Sequence, residues 1–188
     1  HTRTQTPTHK PTETLKLNIK QSSYTEYLNG GKSLNNNLVG RCGLYCGGCR
    51  IHRAYKDSQS LRQSIAKRYK CKPEEVRCEG CQALNDQSWG KGGWGKNCRT
   101  VKCLNAKGLN FCHECENYPT CERFKKWTSI CAKVGVNLRE NLAMIKMGRV
   151  EEWLIQEEKR WTCQNCHQPT SFDLKKCHWC GTKLKRTG

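Results

Sequence analysis

Apolar side chains recur at helical spacing in four stretches of the chain. Leu61, Ile65 and Tyr69 follow one another every four residues after a Ser/Gln-rich start, which places them on one face of a helix. A second stripe, Phe124, Trp127, Cys131 and Val134, begins near Pro119 and Thr120 and runs in steps of three and four. A third opens at Asn137. Leu138, Leu142 and Ile145 form its apolar face, and Glu140 stands three positions after the cap, as in a capping box. Gly148 interrupts it, and Val150, Trp153, Leu154, Glu157 and Trp161 then form a short amphipathic helix. Beyond recurrent cysteine pairs there is no internal repeat.

Composition changes what these helices can be expected to bury. Only 35% of the 188 residues are hydrophobic, that fraction includes 16 cysteines, and the formal charge is +18. So few aliphatic side chains under so large a charge would leave an unaided chain disordered. Cross-links must supply the order, and a large apolar-cored enzyme is excluded. Cysteines in C-x2-C pairs serve as metal ligands in a reducing compartment, because the short spacing lets two thiolates reach one ion. No run approaches the length a membrane helix needs, and the first twenty residues lack an apolar stretch suited to a signal peptide, so a cytoplasmic protein is expected.

Four segments differ in composition: a flexible basic arm (1–41), a cysteine-rich metal-binding domain (42–135), a cysteine-free helical connector (136–161) and a compact C-terminal module (162–188). The expected fold is a small α-rich, metal-stabilised domain with few short strands, followed by a zinc-ribbon β-hairpin. In that last module Cys163-x2-Cys166 and Cys177-x2-Cys180 supply four thiolates from two tight turns, a closed tetrahedral set for Zn2+ with no position left for catalysis. Gly181 suits the turn after the last cysteine, and Trp161, Phe172 and Leu174 would cover the hairpin.

The main domain carries Cys42-x3-Cys46-x2-Cys49, Cys71, Cys78-x2-Cys81, Cys98-x4-Cys103, Cys112-x2-Cys115, Cys121 and Cys131. The run from Arg41 to Arg50 (RCGLYCGGCR), the later Cys78-Glu79-Gly80-Cys81, and Cys98 to Cys103 followed by Lys107-Gly108-Leu109, Cys112-x2-Cys115 and Tyr118-Pro119 resemble an uncharacterised cysteine-rich family of bacteria and archaea, a domain of unknown function. The resemblance spans about residues 40 to 130 and implies a metal-binding domain without assigning an activity. Ten cysteines fit the pattern, leaving Cys71 and Cys131 as extras, and the C-terminal module and the arm lie outside it.

Ten thiolates suffice for two four-ligand sites, and twelve for a third. One pairing puts Cys78 and Cys81 with Cys98 and Cys103, and Cys42, Cys46 and Cys49 with one later cysteine; sequence does not decide among connectivities. His52 and His113 adjoin ligand candidates and are alternative ligands or supporting neighbours. Thiolate-only sites accept zinc or an iron-sulfur cluster. The triplet Cys42, Cys46, Cys49 has the spacing of radical S-adenosylmethionine enzymes, but the chain lacks the half-barrel they need and has Gly48 where they usually carry an aromatic residue.

The positive charge points to a polyanion. Filling all sixteen thiolates with four divalent ions would lower the net charge to about +10, still basic. The excess lies in the arm, the cysteine domain and the tail Lys183, Lys185, Arg186, whereas the connector is balanced. Clustered Lys and Arg neutralise phosphates. Between Cys81 and Cys98, Trp89, Lys91, Trp94 and Lys96 alternate on a glycine-rich backbone suited to stacking bases, or to lidding a metal site. Trp179, on a knuckle beside His178, is a further candidate contact.

The leading expectation is a non-catalytic metal-binding protein that binds RNA or a ribonucleoprotein such as the ribosome. The alternatives are an iron-sulfur electron-transfer accessory protein and a zinc-stabilised protein-protein adaptor. No nucleophile, base and orienter stand at a spacing that argues for catalysis, and no small-molecule substrate is evident.

Overall fold

The computed structural model describes residues 34–84, 90 and 93–185. Within them the chain makes six α-helices: α1 (Arg50–Asp57), α2 (Gln59–Tyr69), α3 (Arg99–Ala106), α4 (Glu122–Ala132), α5 (Leu138–Lys146) and α6 (Val150–Arg160). Short 3-10 turns join them. Three of these turns, Cys46–Gly48, Cys81–Leu84 and Cys112–Glu114, begin on cysteines of C-x2-C pairs.

Four helices fall where the apolar stripes put them. Ser58 caps α2 by accepting the Leu61 N–H at 3.3 Å, and Lys70 ends it in the left-handed region. Asn137 caps α5 through Oδ1, which accepts from the backbone N–H of Arg139 and Glu140. The stripes did not announce α1 and α3. Each is two turns long, starts directly after a cysteine and buries only two or three side chains, too few to set up a period.

The main core is built largely from the segment expected to be a connector. Leu138, Leu142 and Ile145 of α5 and Val150, Trp153 and Leu154 of α6 are buried together with Val39, Tyr45, Phe111 and Phe124. Trp153 meets Tyr45 edge to face at 6.2 Å. The balanced charge of residues 136–161 reflects core-forming amphipathic helices, not a linker. Leu34 and Leu38 pack on this core and Val39, Gly40 and Arg41 are buried, so the folded body includes residues 34–41, which composition had assigned to the arm. The rest of that arm lies outside the described residues.

Gly43 is essential to this arrangement. Its φ is +85°, and a Cβ there would stand 2.7 Å from the Leu138 carbonyl oxygen and 2.8 Å from Leu142 Cγ. Its own carbonyl accepts from Asn141 Nδ2 at 2.8 Å, so the cysteine turn and α5 touch backbone to helix. A second, smaller core joins α1 and α2 to Val76, Cys78 and Trp94.

The expected β-hairpin of the C-terminal module is not formed. Among the described residues β-pairing is limited to isolated bridges, Val39 with Tyr45, Thr162 with Pro169 and Lys176 with Lys183. One bridge closes each C-terminal knuckle, and the segment between the knuckles spends its backbone donors elsewhere. Thr170 N–H goes to the Trp161 carbonyl at 2.7 Å and Phe172 N–H to the Gly48 carbonyl at 3.0 Å. Docking onto the main domain replaces strand pairing.

Candidate metal centre

Two knuckles with the same backbone device bring Cys163, Cys166, Cys177 and Cys180 together. His167 N–H returns to the Cys163 carbonyl and Gly181 N–H to the Cys177 carbonyl, both at 2.9 Å, each turn closing on a residue of positive φ. All four sulfurs lie within 4.8 Å of one another, with Cys163 and Cys180 at 3.8 Å and Cys166 and Cys177 at 3.7 Å. Four sulfurs about 2.3 Å from one zinc ion stand about 3.8 Å apart at tetrahedral angles. The donor set and its spacing therefore fit one thiophilic ion. Among the described residues no other group has all its ligand atoms this close.

In the main domain the structure rearranges the expected pairing. Cys46 Sγ lies 3.7 Å from Cys81 Sγ and donates to it, so Cys81 is held towards thiolate while the Cys46 thiol is pushed well up. Cys49 and Cys78 belong to the same neighbourhood. Burial raises Cys49 to about 11, with the charge of Cys81 adding to it, and burial followed by the charge of Cys49 raises Cys78. Cys81 thus meets Cys46, with Cys49 and Cys78 within electrostatic reach. Cys103 instead lines one cavity with Cys112, Cys115 and Cys121.

Cys42 is buried between these groups. Its sulfur accepts the Trp127 indole N–H at 3.3 Å, and its thiol is raised by burial and then by Cys81 and Cys112. Cys98 is the N-cap of α3. The two extras pack as small apolar groups. Cys131 is buried in the main core, where desolvation lifts it to about 12, and Cys71 lies against the second core.

Neither histidine is brought in as a ligand. His52 is buried on α1 and its Nδ1 donates to the Cys78 carbonyl at 2.8 Å, tying α1 to the cysteine loop. His113 lies flat on Phe111, 12° between ring planes. Burial, with Arg53 beside it, lowers the His52 imidazole from its usual 6.5 to about 4. Above pH 6.5 the ring is neutral whether the chain is folded or not. As pH falls towards 4, the unfolded chain takes up a proton that the folded one refuses, so stability declines through that window by up to about 3 kcal/mol. NMR titration is expected to show the ring still neutral at pH 5, and His52→Asn, which keeps a donor for the carbonyl, to flatten the decline; a ring titrating near 6.5 would refute this.

Sequence reasoning missed how the C-terminal module docks, because every contact joins residues far apart in the chain. Trp161 and Phe172 close over Gly48, where a Cβ would meet the indole Cγ at 3.1 Å and the Phe172 ring at 3.2 Å. His178 Nε2 lies 3.4 Å from Asp57 Oδ2, which also pairs with Arg53 at 3.0 Å, all three nearly enclosed. Arg50 reaches Asp173 at 3.5 Å. Gly48→Val is expected to displace the module, read as faster amide exchange at Phe172 with an unchanged number of bound ions.

The nucleic-acid candidates separate. Trp94 is only 8% exposed, meets Tyr69 edge on at 4.8 Å and donates its indole N–H to the Arg77 carbonyl at 3.1 Å. It is a core residue, not a stacking platform, because the second core needs its area. Trp89, Lys91 and Arg186 lie outside the described residues. Lys96, Lys183 and Lys185 are exposed, and Trp179 is 46% exposed with its indole N–H on the Pro169 carbonyl at 3.0 Å. Arg160, Lys183 and Lys185 wall a cleft of about 390 Å3 together with Gln164, Asn165 and Thr182, and no carboxylate lines it.

The cysteine order and this geometry agree with one comparison. Residues 38–126 match the family model DUF3795, described as a protein of unknown function. Neither the curated proteins nor the solved structures provide a match. The DUF3795 span ends inside α4, so the helices that complete the core and the C-terminal tetrad lie beyond it. No described helix is long and apolar enough to cross a membrane.

Proposed function

We propose that the protein is a non-catalytic zinc-binding protein whose basic surface binds RNA, as a component or client of a ribonucleoprotein such as the ribosome. The observation that carries the reading is the cleft beside the tetrad: Lys183 and Lys185 share it with several neutral amide and hydroxyl groups and no carboxylate lines it, while Arg160 on its wall is paired with Glu157 at 3.6 Å. Phosphate oxygens take that combination of charge and hydrogen-bond donors. Trp179, exposed on the neighbouring knuckle, supplies the kind of face on which an unpaired base stacks, and this favours single-stranded RNA over a duplex. The closed thiolate set supports a structural metal, which shapes the surface and performs no chemistry.

The test is binding of an unstructured RNA oligonucleotide by the zinc-loaded full chain at several salt concentrations. Affinity should fall linearly on a log-log salt plot. The charge reversals Lys183→Glu and Lys185→Glu together should reduce that slope by about two. Trp179→Ala should weaken binding by about 1–3 kcal/mol with the slope unchanged. Affinity indifferent to salt, or to all three substitutions, would overturn the reading.

A further inference from the structure

Besides the tetrad and the Cys46, Cys49, Cys78 and Cys81 neighbourhood, a further group of cysteines borders a common space. A cavity of about 40 Å3 is lined by Cys103, Cys112, Cys115 and Cys121, with Lys107 and Arg123 among its walls. The four come from three elements. Cys103 lies on α3, Cys112 and Cys115 begin and end the turn at 112–115, and Cys121 is the N-cap of α4. The turn repeats the C-x2-C unit of the tetrad, with Cys115 N–H returning to the Cys112 carbonyl at 3.2 Å.

We propose that Cys103, Cys112, Cys115 and Cys121 form a second metal centre, a closed four-thiolate site for one zinc ion.

Buried cysteines without a ligand behave as small apolar groups and pack against their neighbours, as Cys131 does. These four border a common cavity, and Cys112 and Cys121 also pack against the main core. Four thiolates gathered on one small space would repel one another, a repulsion that a divalent cation reverses. Four thiolates on one zinc leave a double negative charge, and Lys107 and Arg123 are placed to offset it. Lys107 Nζ already donates to Cys115 Sγ at 3.4 Å. The sulfurs stand wider than those of the C-terminal tetrad, so the ion draws α3, the 112–115 turn and the start of α4 together. Such a clasp holds the pieces of a domain whose apolar core is small. The inference is independent of RNA binding and goes beyond it.

The experiment uses the full chain, stripped of metal under reductant and titrated with cobalt(II) and then zinc(II). Cys112→Ser with Cys115→Ser should remove one bound equivalent. Cys163→Ser with Cys166→Ser should remove a different one, and the combination should remove both. Zinc should also protect all four cysteines of the proposed site from alkylation in the wild type, read by mass spectrometry. Because unfolding alone also releases an ion, Cys121→His provides the second arm. It should keep the ion count and shift the cobalt spectrum from four sulfurs towards three sulfurs and one nitrogen. An unchanged count in the serine variant, an unchanged spectrum in the histidine variant, or iron with labile sulfide lost on the same substitutions would each overturn the assignment of one zinc ion.

Discussion

Cys177→Ser is expected to abolish one metal equivalent and release the C-terminal module from the main domain. The reason lies in what the knuckle carries. His178, held between Cys177 and Cys180, is the group that approaches Asp57, while Phe172 sits on Gly48 beside the core residue Trp161 only as long as the two knuckles fix the segment between them. A four-thiolate zinc site contributes about 10 kcal/mol or more to the folding of a small module, which exceeds anything its few apolar side chains supply. Native mass spectrometry reads the lost ion. Hydrogen exchange reads the detachment, because Phe172 N–H is protected by the Gly48 carbonyl and should become fast in the variant. A Phe172 amide that keeps its protection would show that the module docks without its metal.

The other large effect lies in the core. Trp153→Ala should cost about 3–5 kcal/mol, measured from denaturant midpoints at saturating zinc. Trp153 is 2% exposed, meets Tyr45 edge on and lies in the cluster with Val39, Leu138 and Leu142. Domains of this size have only about 5–15 kcal/mol in total, so the variant should be marginal at room temperature. Ile130→Ala, at a position 46% exposed, should by contrast stay within about 0.5 kcal/mol. A cost under 1 kcal/mol at Trp153 would return α5 and α6 to the status of a connector.

The helices legible in the sequence are those that bury a full stripe. Ile65, Phe124, Leu142 and Trp153 each sit in a run long enough for a period to emerge, and Asn137 announces its cap. By contrast α1 and α3 follow directly on Cys49 and Cys98 and bury two or three residues each, so neither stripe nor polar cap marks them. The tetrad was legible because two equal knuckles lie close together in the chain. The main-domain grouping was not, since Cys46 meets Cys81 only after α1 and α2 fold back, and spacing records nothing of that path. Trp94 was misread for a related reason. Its glycine-rich flanks look like a solvent loop, yet Tyr69 and the Arg77 carbonyl bury the indole.

The bond from Phe172 to Gly48, and the packing of Trp153 on Tyr45, also set an order of events during synthesis. The early cysteines leave the ribosome well before the residues that cover them, and the core stays open on one side until α6 has emerged. Contacts of such long sequence separation close late. For that interval the nascent chain presents a set of uncovered thiols. It is then most vulnerable to oxidation and to capture of the wrong ion, and the surrounding thiol poise and zinc supply matter more to its yield than the stability of the finished protein.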